Sequence, residues 1–140
     1  MTITKEFVGN LFSHLEKGQP DLFFAQVADN VNWHVMGTHP LAGTYKSKAD
    51  FLAHTFTHLN KILKNGPHLK VNHLFIAEDK QTAIIEMSQT SDSIANTHFN
   101  NTYCWIVIFT NNIITEVRAY LDSALVQQLL LDTYQAKANL

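Results

Sequence analysis

The apolar residues of this chain change their spacing partway along, from a helical period near 3.6 to a strand period of 2, and this switch restricts the fold more than any other feature. Phe7, Val8, Leu11, Phe12 and Leu15 recur at helical spacing, and Gly18 stops that helix. A short second helix is expected over 22–27, with Pro20 and Asp21 at its start. From Val31 the period is 2, with Val31, Trp33 and Val35 alternating with Asn32 and His34, as in a half-buried strand. A loop follows from Gly37 to Gly43. Ser47, with Asp50 three residues on, predicts a capped third helix. That helix is expected to run through Phe51, Leu52, Thr55, Leu59, Ile62 and Leu63, until Asn65-Gly66-Pro67 stops it.

The second half reads as a β-meander, with strands near 69–77, 82–89, 98–109 and 113–121. Turns fall at 78–80 and at Asn111-Asn112, with a polar connection over 90–96. A helix from Ser123 to about Lys137 closes the chain. Helices first and strands later indicate an α+β fold rather than wound βαβ units. A long curved sheet around the early helices leaves a cavity between the layers. The 140 residues suit a single domain spanning 1–140.

Charged residues are only 16% of the chain, against a usual ~25%. With 46% hydrophobic residues this excludes disorder and suggests that some surface is covered by a partner or lies around a pocket. The net charge is −2 and no basic run occurs, so nucleic-acid binding is not expected. No stretch approaches the ~20 apolar residues of a membrane span, and the first residues carry no apolar leader, so a soluble cytoplasmic protein is expected. The single cysteine, Cys104, excludes an intramolecular disulfide; set in the apolar run Tyr103–Phe109, it reads as a core residue. His54 and His58 stand four apart on the third helix at metal-ligand spacing, but they share a face with Asp50 and Lys61, as on a solvated surface, and no metal is expected.

Several short stretches are familiar together: Gly18, Asp29-Asn30-Val31-Asn32-Trp33, Gly37-Thr38-His39-Pro40-Leu41-Ala42-Gly43-Thr44-Tyr45, Asn101-Thr102-Tyr103 and Arg118-Ala119-Tyr120-Leu121-Asp122. In these the chain resembles the SnoaL-like branch of the NTF2-like superfamily, named for polyketide cyclases. The resemblance implies a cone-shaped α+β fold, with a curved mixed or antiparallel sheet around N-terminal helices and an internal pocket. It also implies a homodimer through the outer sheet face, and apolar residues at both strand parities (Leu74/Phe75, Ile84/Ile85) agree with that.

Alternation places Arg118, Tyr120 and Asp122 on one face of the last strand and Val117, Ala119 and Leu121 on the other. The second set is apolar; the resemblance places the first in the pocket and carries the acid/base role of these cyclases onto Asp122. The other reading of Asp122 is an N-cap of the last helix. Arg118 either holds a substrate oxyanion or pairs with Asp122 or Glu116. His39 is either an acid/base at the pocket mouth or a loop histidine that fixes backbone carbonyls. Trp33, Tyr45, Tyr103 and Tyr120 are candidate pocket walls or core aromatics. Asn101 is either a substrate hydrogen bonder or a hydrogen-bonded core amide. His73 and Glu86 are weaker candidates for the lining.

Ketosteroid isomerases of the same superfamily place a carboxylate near the end of the first strand, where this chain has Trp33-His34-Val35-Met36. The expected protein therefore binds a small molecule, as a cofactor-free cyclase, isomerase or lyase in which Asp122 takes a proton next to a carbonyl. The alternatives are a non-catalytic carrier of a small hydrophobic ligand and a dimeric interaction module.

Overall fold

A computed structural model describes residues 2–89, 91–95 and 98–138. Helix α1 (Lys5–Glu16) is capped by Thr4, whose hydroxyl accepts from the Phe7 N–H, and it buries Val8, Leu11, Phe12 and Leu15 as its spacing predicts. Gly18, at φ +70°, turns the chain into α2 (Pro20–Phe24). That helix is shorter than expected, because Val27 already pairs as the first residue of β1 (Val27–Val35).

At the end of the anticipated loop a short strand, β2 (Gly43–Tyr45), pairs antiparallel with the end of β1. The predicted third helix is two helices, α3 (Lys48–His54) and α4 (Phe56–Ile62). They break at Thr55, whose φ/ψ of −123°/−84° leave the helical region and whose hydroxyl donates to the Phe51 carbonyl at 2.6 Å. A Thr hydroxyl that competes for the turn's own carbonyl weakens the helix at that point. In an unbroken helix, residues five apart lie on different faces. The break instead brings the rings of Phe51 and Phe56 to 5.9 Å.

The remaining strands are β3 (Lys70–Ile76), β4 (Thr82–Ser88), a small pair β5 (Ser91–Asp92) and β6 (His98–Phe99), then β7 (Thr102–Thr110) and β8 (Ile113–Leu121). The expected third meander strand is thus divided after Phe99. Asn111 and Asn112 turn β7 into β8 with φ of 51° and 65°, the two-residue turn whose twist matches its strands. The main sheet runs β2-β1-β8-β7-β4-β3. It is mixed, because β1 lies parallel to β8 while the other pairs are antiparallel.

One face of this sheet packs on α1, α2 and α3 through Trp33, Ile85, Trp105, Val107 and Val117. A smaller core of Ile62, Leu63, Phe99, Val126 and Leu129 seats α5 (Ser123–Ala138) against α4 and β6. No helix among the described residues is long and apolar enough to cross a membrane.

Candidate ligand cavity

Where the two cores meet, a cavity of about 60 Å³ remains. Trp33, Trp105 and Ala119 of the sheet line one side, Phe51, Phe56 and Leu59 of α3 and α4 another, and Phe99, Leu121 and Val126 complete the lining. Trp33 is fully buried, stacks on Phe51 at 3.9 Å and meets Trp105 edge to face at 5.2 Å. Such aromatic contacts fix the rings and shape the wall.

His39 sits at the cavity, on the loop between β1 and β2, and is only 4% exposed. Its Nε2 lies 3.2 Å from the Met36 carbonyl, which can only accept, and its Nδ1 lies 3.2 Å from the Leu41 N–H, which can only donate. The ring is therefore neutral, with its proton on Nε2. Burial holds its pKa below the ordinary histidine value, against the opposing pull of the Met36 carbonyl. Both nitrogens are committed to the backbone, which is the loop-fixing arrangement. Gly37, at φ +110°, lets the loop pass close to α5; a Cβ there would collide with Ser123 Oγ.

Tyr45 supports the same loop from behind. Its hydroxyl donates to the Leu41 carbonyl at 2.8 Å, and its ring packs edge on to Phe51. Burial raises its pKa. Trp33 and Tyr103 line the cavity, whereas Tyr45 is not part of its lining. Burial pushes the Tyr103 hydroxyl strongly up, so the phenol stays protonated.

Asn101 faces neither cavity nor solvent. It is wholly buried, its amide donates to the Asp122 carbonyl at 3.2 Å, and its oxygen accepts from the Asp122 N–H at 3.0 Å. It is the hydrogen-bonded core amide, and it ties β7 to the start of α5.

The last strand departs from what the resemblance implies and follows its own alternation. Val117 and Ala119 are buried and Leu121 lines the cavity, while Arg118 and Tyr120 are exposed on the outer face. The physical reason is that the apolar parity meets the aromatic core. Arg118 lies 2.8 Å from Glu116, two residues back on β8. Asp122 is exposed and caps α5, its Oδ1 accepting from the N–H groups of Ala124 at 3.0 Å and Leu125 at 3.4 Å. These three residues lie outside the cavity.

Tyr120 and Asp122 instead border an open groove on the outer face, together with His73, Glu86 and Cys104. Pairing sets His73 beside Glu86, Glu86 beside Cys104 and Cys104 beside Tyr120. His73 Nδ1 is 3.4 Å from Glu86 Oε1. Burial and the Glu86 charge raise the Cys104 thiol pKa, the opposite of an activated nucleophile. His54 and His58 are exposed, and no group of three or more His, Cys, Asp or Glu among the described residues could hold a metal.

The sequence reading missed Phe56, Phe99, Leu121 and Val126 as cavity wall. Phe99 carried a signal, since it shares strand parity with Tyr103 and Trp105. Phe56 carried none, because its place depends on the break at Thr55.

No family model matches the chain. Among solved structures, an NTF2-like protein from Burkholderia thailandensis superposes with a TM-score of 0.75 at 20% identity, covering 89% of this chain and 95% of that one. TerC, co-crystallized with polyporic acid, superposes with a TM-score of 0.68 at 17% identity, covering 90% of this chain and 96% of that one. The fold is therefore NTF2-like. A curated relative, the dimerizing cyclase phiC of a fungal species, is 24% identical over 132 residues. The match takes in 93% of this chain but only 58% of that cyclase.

Proposed function

We propose that the chain binds a small neutral apolar molecule in the cavity between Trp33, Trp105 and Phe51. One observation carries this reading: a cavity between two cores has a wall of aromatic and aliphatic side chains, and its histidine and threonine already have partners. Ligand pockets are mostly apolar with a few placed polar groups. Burial of a charged ligand without a counter-charge would be unfavourable there. The test is ¹²⁹Xe NMR titration, because xenon is a neutral apolar probe small enough for a cavity of about 60 Å³. Saturable binding at one xenon per chain, lost in Ala119→Leu, is the expected result. No saturable binding, or binding that Ala119→Leu leaves intact, refutes the reading.

A second reading is favoured by the similarity to a cyclase and by the place of Asp122 on the outer groove. There Asp122 would act as base in a cofactor-free lyase or isomerase reaction, with Tyr120 beside it and Arg118 on the same strand face. Asp122→Asn that keeps full turnover of a processed substrate would end that role.

The outer face also supports a homodimer. Phe75, Ile84 and Ile106 are neighbours across β3, β4 and β7, and Phe75 is 50% exposed. A second copy would cover this row.

A further inference from the structure

We propose that the Phe56 side chain is a movable partition, and that its swing out of the cavity wall admits a neutral ligand of one aromatic ring. The proposal rests on the reading of the cavity as a ligand site. Phe56 lines two hollows at once: the cavity of about 60 Å³ and a pocket of about 260 Å³ between α2 and α4. A ring in a close-packed interior has no room to leave its rotamer. Phe56 is only partly buried, and the pocket beside it is lined in part by Pro20, Leu52 and Pro67, an apolar surface that can receive a ring.

The backbone that carries this ring is lightly held. Phe56 is the first residue of α4, a helix of seven residues that buries Ile62. Thr55 gives that helix no side-chain cap, and its hydroxyl donates instead to the Phe51 carbonyl of the preceding helix. Aromatic contacts keep the ring in the wall, edge on to Phe24 at 5.1 Å and tilted against Phe51 at 5.9 Å. A change of χ1 to another staggered position exchanges them for the pocket.

The ligand class follows from the space released. An apolar cavity of about 150 Å³ holds benzene, and the resting cavity falls well short of that. The swing vacates the volume of one phenyl group and leaves Trp33, Trp105 and Phe51 as wall. A single apolar ring therefore takes the place of the Phe56 ring. Among the described residues no Asp, Glu, Lys or Arg lines the cavity, so a charged ring would lose its water and gain no counter-charge.

The test follows the methyl signals of Ala119 and Val126, which line the cavity, and of Leu52, which lines the pocket, in a ¹H–¹³C spectrum of the full chain. Benzene is expected to shift Ala119 and Val126 saturably in the parent chain. Phe56→Ala removes the ring that must move, so benzene is expected to bind about tenfold more tightly there, the factor one lost aromatic contact accounts for. Phe56→Leu, which retains more of the packing should the Ala variant fail to fold, is expected to gain affinity in the same direction. Benzoate is expected to leave Ala119 and Val126 unshifted in all three chains.

Benzene that shifts Leu52 alone stays in the outer pocket and overturns the proposal, as does equal benzene affinity in the parent and the folded variants. Benzoate that shifts Ala119 overturns the neutral class. If xenon shifts Ala119 and benzene does not, the partition fails and the cavity reading stands. If neither shifts Ala119, the cavity reading fails as well.

Discussion

Asn101→Ala is expected to destabilise the protein more than its small size suggests. The side chain is wholly buried and makes two hydrogen bonds to one residue, accepting from the Asp122 N–H at 3.0 Å and donating to the Asp122 carbonyl at 3.2 Å. The carbonyl keeps a second contact, from the Val126 N–H at 3.4 Å, so the N–H is the group left without a partner. An orphaned N–H costs about 1–3 kcal/mol and the second lost bond about 1 kcal/mol, less whatever water recovers. A net loss of about 2–3 kcal/mol follows, or a fall in Tm of roughly 6–10 °C for a chain of this length. Urea unfolding and thermal melting monitored by circular dichroism both measure it.

Asn101→Asp gives a second readout. A protonated Asp can still donate to the carbonyl and accept from the N–H, whereas an ionised one turns an oxygen on that carbonyl. Its folded pKa would lie above its unfolded value. Its penalty is then absent at low pH and grows as pH rises through the unfolded carboxylate range near ~4. A loss below about 0.5 kcal/mol in Asn101→Ala, or an Asp variant with no added pH dependence, would refute the junction role assigned to this amide.

Three further outcomes are expected. Asp122→Asn retains the N-cap and is expected to lose a few tenths of a kcal/mol, whereas Asp122→Ala loses about 1 kcal/mol by thermal melting; a loss near 3 kcal/mol in the Asn variant would instead indicate a desolvated charge pair. Gly18→Ala must hold a β-carbon at φ +70° and 2.6 Å from His68 Cε1, so a loss of about 1–2 kcal/mol is expected; an unchanged melting temperature would contradict this strained geometry. His39 has a folded pKa below its ordinary 6.5, so the unfolded chain binds its proton first and stability falls as pH drops below about 6.5; in His39→Gln that part of the acid loss should flatten, and an acid limb identical to that of the parent would exclude it.

Much of the fold was legible because burial follows period. The α1 stripe, the alternation of Trp33 with His34, and the Asn-Asn hairpin turn are local patterns, and the structure keeps all three. The break at Thr55 was not legible, since Phe51, Thr55 and Leu59 keep helical spacing across it, and only packing of Phe56 onto Phe24 and Phe51 rewards the bend.

The site divides along the same line. Sequence alone determined that Arg118, Tyr120 and Asp122 share one face of the last strand and Val117, Ala119 and Leu121 the other, because the strand period is 2. Tertiary structure decided which face looks inward: the apolar one, since the aromatic core of Trp33 and Trp105 lies on that side of the sheet and would strip an arginine of its water without returning a partner. It also decided that Asn101 holds the start of α5 and that Phe56 lines both a cavity and an outer pocket. Those facts depend on contacts between residues distant in the chain, which no local period encodes.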